Sequence, residues 1–169
     1  MILPAAKKIT KACAKKEKDR PVSAFISYSH ADIKIKNDLL KHFSPLRRLG
    51  LISDWHDGEI KPGDEWQKSI AGHLNSSQII LLLISSDFIA SEFCYNKELN
   101  KAMERHSAKE AVVIPVIVRA CMWHDLAFGK LQALPDEGRA ITTWVDLDDA
   151  LTKVAMGVQA AAQMLQVVR

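Results

Sequence analysis

The run Ile79-Ile80-Leu81-Leu82-Leu83-Ile84 sets six apolar residues in succession, with no polar position to mark a wet face. A half-exposed strand alternates and an amphipathic helix shows a stripe. An unbroken run over Gln78 to Ile84 therefore reads as a strand covered on both faces. Such strands belong to parallel sheets, which need a crossover between neighbouring strands, so the chain should alternate strand with helix.

It does. Val22 to Tyr28 alternates as a first strand, and Asp32 is placed to cap a helix whose apolar positions Leu39, Leu40, Phe43, Leu46 and Leu49 recur at helical spacing. Pro45 should kink that helix and Gly50 end it. Leu51 to Trp55 reads as a short second strand leading into a polar loop over His56 to Glu65, and a helix over Trp66 to Leu74 precedes the apolar third strand. Ser91 is expected to cap a helix reaching His106, Val112 to Val118 to form a fourth strand and Ile141 to Trp144 a fifth. A closing helix carries Ala150, Leu151, Val154, Ala155, Val158, Ala162 and Leu165 on one face. Between the last two strands, Arg119 to Gly138 reads as irregular, with Trp123, His124 and Asp125 in a packed loop.

At 169 residues, 48% hydrophobic and 25% charged, the chain is one domain's worth of soluble globular protein. The first twenty residues hold seven Lys or Arg against Glu17 and Asp19, so the overall charge of +3 leaves the remainder net negative. Residues 1–21 thus read as a basic, flexible tail and 22–169 as the domain, without the basic face that nucleic acid would need. No apolar run approaches the roughly 18 residues that span a bilayer, and the tail lacks the apolar region of a secretory signal. Cys13, Cys94 and Cys121 are odd in number and unpaired in spacing, and the six histidines form no ligand pair. A reducing cytoplasm and no metal are expected.

Three ordered motifs carry a resemblance. Phe25-Ile26-Ser27-Tyr28-Ser29-His30-Ala31-Asp32, the stretch from Trp55 to Trp66, and Ser91-Glu92-Phe93-Cys94-Tyr95-Asn96-Lys97-Glu98-Leu99 together resemble the bacterial branch of TIR (Toll/interleukin-1 receptor) domains over roughly residues 22 to 166. The resemblance implies a flavodoxin-like five-stranded parallel sheet in the order 2-1-3-4-5 with helices on both faces. It also implies cleavage of NAD+ at the nicotinamide–ribose bond, with NAD+ as substrate and no resident cofactor. Glu98 matches the catalytic glutamate of active members. Many of those carry a tryptophan four residues earlier, where this chain has Cys94, so Tyr95 or Phe93 is left to supply the apolar wall.

Spacing alone makes Glu98 a solvated helix residue paired with Lys101; the motif makes it the carboxylate that meets a ribosyl cation. Ser27 and Ser29 can bind ribose or phosphate, at most one of them facing a shared cleft, or serve local turn hydrogen bonds. His30 can meet a phosphate or simply lie exposed. Trp55 can stack on a base and Lys61 can neutralise phosphate, in a loop that TIR domains use both to gate the pocket and to touch a neighbour. Cys94 and Tyr95 complete the expected binding set.

The leading expectation is an NAD+ glycohydrolase or ADP-ribosyl cyclase, switched on by TIR–TIR assembly into filaments and serving bacterial antiphage defence. A sensor domain in a longer parent chain would fit that role. The alternative is a non-catalytic adaptor that recruits other TIR domains through Trp55 to Trp66. A receiver domain lacks its acidic cluster after the first strand, a flavodoxin lacks its glycine-bearing phosphate loop, and a serine hydrolase lacks Gly-x-Ser-x-Gly.

Overall fold

The computed structural model describes residues 20–56, 66–91 and 98–168. Within these residues four strands, β1 (Val22–Ser27), β2 (Ile52–His56), β3 (Ile79–Ile84) and β4 (Val112–Ile117), form an all-parallel sheet in the order β2-β1-β3-β4. Among the described residues six α-helices accompany them: α1 (Ile33–His42), α2 (Ser44–Arg48), α3 (Trp66–Ser76), α4 (Ser86–Ala90), α5 (Asn100–Ser107) and α6 (Leu147–Val168). All six residues of β3 are buried, as its unbroken apolar run requires, because β3 lies inside the sheet with helices above and below.

Strand alternation divides the core in two. Val22, Ala24 and Ile26 of β1, with Ile79, Leu81 and Leu83 of β3, face Leu39, Phe43 and Leu46 of the α1–α2 segment and Leu151, Val154 and Val158 of α6. Phe25, Ile80, Leu82 and Ile84 face the other way, against Leu74 of α3, Phe88 of α4 and Leu99 and Ala102 at the head of α5. Each fully buried Leu, Ile or Phe contributes about 1.5–3 kcal/mol of transfer free energy, so the two layers supply the bulk of the drive to fold.

The first helix is broken rather than kinked. Phe43 separates α1 from α2, and Pro45 sits in the first turn of α2, where its missing N–H costs nothing. Gly50 then ends α2 in the left-handed region (φ 68°), and the Leu51 N–H reaches back to the Leu46 carbonyl at 3.0 Å.

The expected fifth strand does not form. Ile141–Thr143 is a 3-10 turn, closed by the Thr143 hydroxyl on the Ala140 carbonyl at 2.7 Å. The outer edge of β4 is already occupied by Leu134, whose N–H donates to the Pro115 carbonyl and whose carbonyl accepts from the Ile117 N–H, both at 2.9 Å. Only Thr142 reaches the strand's end, donating to the Val118 carbonyl at 3.2 Å. The segment expected to be irregular therefore does the covering, with Trp123, Phe128 and Ala133 buried in the second core layer. Gly157 lets α6 press on it, since a Cβ there would lie 2.6 Å from Leu134 Cδ1.

Arg105 fastens α5 to its neighbours from inside. It is 7% exposed, and its guanidinium donates to the carbonyls of Leu74 at 2.6 Å, Ser77 at 2.5 Å and Glu110 at 3.3 Å. Arg105→Met is expected to strip three carbonyls of their donor and lower stability by about 3 kcal/mol, read from the midpoint of urea unfolding. A loss under about 0.5 kcal/mol would show that the bonds are dispensable.

Candidate active site

β1 and β3 are neighbours whose onward connections leave in opposite directions, to β2 and to β4, so the sheet's switch point lies between their carboxyl ends. Ser27 ends β1 opposite Leu82 of β3 and shares the face of Phe25, the face that α5 covers. Glu98 and Leu99 take π-helical geometry just before α5, which brings the Glu98 carboxylate onto this strand end. Ser27 is 1% and Glu98 6% exposed, and the Ser27 hydroxyl donates to Glu98 Oε2 in a short hydrogen bond.

Burial lifts the Glu98 pKa from its ordinary 4.5 to about 7, and the bond from Ser27 pulls against that rise. A buried carboxyl poised near neutrality is uncommon outside sites of chemistry. Lys101, the partner that helical spacing suggests for Glu98, instead pairs with Glu104 at 3.4 Å on the exposed side.

A second polar group lies just beyond the same strand ends. Asp32 does not cap α1 with its side chain. It is 2% exposed, accepting from the Ser85 hydroxyl at 2.5 Å and from Arg119 Nε at 2.9 Å. The Ser85 hydroxyl in turn accepts from the Phe88 N–H at 3.1 Å and so caps α4. Arg119 also donates to Asp87 in the first turn of α4, and its hydrogen bonds to Asp32 and then Asp87 hold the guanidinium charged. Asp87 is thereby tied to the segment that follows β4. Beside this network burial pushes the Cys121 thiol up, with Arg119 working against it.

Of the expected binding residues, Ser27 meets Glu98. Ser29 has left the strand and its carbonyl accepts from the Asp32 N–H at 2.8 Å, while His30 is exposed in the 3-10 turn His30–Asp32. Trp55 gives its backbone to β2. Its side chain, with Lys61, Cys94 and Tyr95, lies outside the described residues, as do residues 1–19. Sequence reading places Ser85 at the ligand end of the sheet without giving it a role, and reads Arg119 only as the start of an irregular segment. The available signal was position, a polar or charged residue directly after a buried parallel strand.

A parallel sheet flanked by helices, with an acid held at its switch point, defines an α/β domain. The chain matches the TIR domain family over residues 24–160 and belongs to that family. It is also 51% identical over 140 residues to the uncharacterized protein y4lF of Sinorhizobium fredii, a match covering 83% of this chain and 43% of that relative's length. Among the described residues no helix is long and apolar enough to cross a membrane.

Proposed function

We propose that the chain cleaves NAD+ between nicotinamide and ribose, with Glu98 as the working carboxylate and Ser27 as its hydrogen-bond partner. The observation that carries this reading is the buried Glu98 carboxyl, held by one serine hydroxyl at the carboxyl end of a parallel sheet. As nicotinamide departs with the bonding electron pair, positive charge develops on the ribose. An ionised Glu98 in a low-dielectric setting stabilises that charge directly, or grips a ribose hydroxyl more tightly as it becomes acidic. Water then completes hydrolysis to ADP-ribose, or a nucleophile of the substrate itself closes a cyclic isomer.

TIR domains self-associate, and assembly is the proposed switch. A head-to-tail contact must outweigh the translational and rotational freedom lost on association, so it forms only when copies are crowded. In a bacterium such a concentration-gated NAD+ consumer suits an effector or signal producer in antiphage defence.

Turnover and light scattering measured on the same samples over a thousandfold dilution test this reading. Specific activity should rise with concentration in step with scattering mass. Flat activity from a monomer would remove assembly from the account, and assembly without any NAD+ loss would make the chain an adaptor.

A further inference from the structure

We infer that Asp32 and Arg119 are positioning residues for the Glu98 site, locking the turn after β1 to the ends of β3 and β4 so that water is kept from the Ser27–Glu98 contact. Its consequence for turnover rests on the function proposed above, whereas the lock itself does not.

The placement argues for it. Asp32 lies five residues past Ser27; Ser85 lies three past Leu82, the register partner of Ser27; Arg119 lies two past Ile117, the partner of Ile84. The Asp32 carboxylate uses one oxygen on Ser85 and the other on Arg119, so a single buried charge ties together three chain segments that leave the sheet at the same end. Through Asp87, Arg119 adds α4 to the set. The turn is fixed from within as well, by the Asp32 N–H on the Ser29 carbonyl at 2.8 Å.

Stability alone is a poor reason for such a group. A buried carboxylate, even when paired, rarely outperforms apolar residues of the same volume, and here only Asp32 of the pair is fully buried. Its value is geometric, since it joins the segments that follow β1, β3 and β4, with Ser27 at the end of β1, and leaves Asp32 and Ser85 buried. Arg119 remains one-third exposed, so the lock has one side open to ligand. Burial raises the Glu98 pKa and the Ser27 bond lowers it, so admitting water to the site would bring the Glu98 midpoint down.

The test follows the Glu98 side-chain carboxyl by 13C NMR across pH in the full chain, assigned by its loss in Glu98→Gln, with thermal unfolding and NAD+ kinetics on the same variants. In Arg119→Gln the Glu98 midpoint should fall from about 7 by at least about one pH unit toward its ordinary value, with kcat reduced about tenfold or more and KM changed by less than about twofold. Asp32→Asn should behave alike. Arg119→Lys keeps the charge beside Asp32 but cannot span to Asp87 and should fall between. An unmoved midpoint in folded Arg119→Gln and Asp32→Asn would overturn the inference. So would loss of the folded state in all three variants, which marks a purely structural network. If the wild type leaves NAD+ intact the proposed function fails, and the carboxyl titration still decides the lock.

Discussion

Glu98→Gln is expected to lower NAD+ turnover by about a thousandfold or more while the domain stays folded, a loss of the size seen when a group aimed at developing charge is removed. The substituted amide keeps the shape and can still accept from Ser27, but it carries no charge to offset the ribosyl cation. The loss should fall on kcat rather than KM, because the interaction strengthens only as nicotinamide leaves. Circular dichroism and light scattering on the same samples separate chemistry from folding and assembly. Near-normal turnover in a folded, assembled Glu98→Gln protein would falsify the role assigned to Glu98.

The pH dependence of kcat/KM is the second large effect. With the ionised form required and a pKa of about 7, kcat/KM should be level at alkaline pH and fall about tenfold per unit below 7, so that pH 5 lies about a hundredfold under the plateau. Stability should move the opposite way. The folded pKa is raised above 4.5, so the protonated carboxyl is the form the fold favours; its contribution is complete below 4.5 and is lost as pH rises through 7. Relative to Glu98→Gln, the wild type should therefore lose stability across that window, by about 3 kcal/mol at most. Urea unfolding at pH 4.5 and pH 8 checks the sign, and an equal difference at both ends would mean that Glu98 titrates normally.

Much of the architecture was legible because it rests on local periodicity. The apolar run Ile79–Ile84 announces an interior strand, and that strand is wholly buried beside β1 and β4. Helical spacing placed Leu39, Phe43 and Leu46 on one core and Leu151, Val154 and Val158 with them. The fifth strand failed for a tertiary reason. Ile141–Trp144 is apolar enough for a strand, yet Leu134 had taken the β4 edge, and nothing local to residue 141 records that occupancy.

The site was legible in part. Glu98 stood out through its motif, but its partner lay 71 residues away, and helical spacing offered Lys101 instead. Asp32 looked like a helix cap because capping is a local rule. Its actual partners, Ser85 and Arg119, stand 53 and 87 residues along the chain, at separations where sequence pattern carries no pairing information.

The most direct measurement is the fate of NAD+ incubated at pH 8 with the wild-type chain, at a concentration where light scattering shows assembly and with products resolved by chromatography. The account predicts one nicotinamide released for each NAD+ lost, with linear or cyclic ADP-ribose as the other product. Intact NAD+ in the presence of the assembled protein would contradict it.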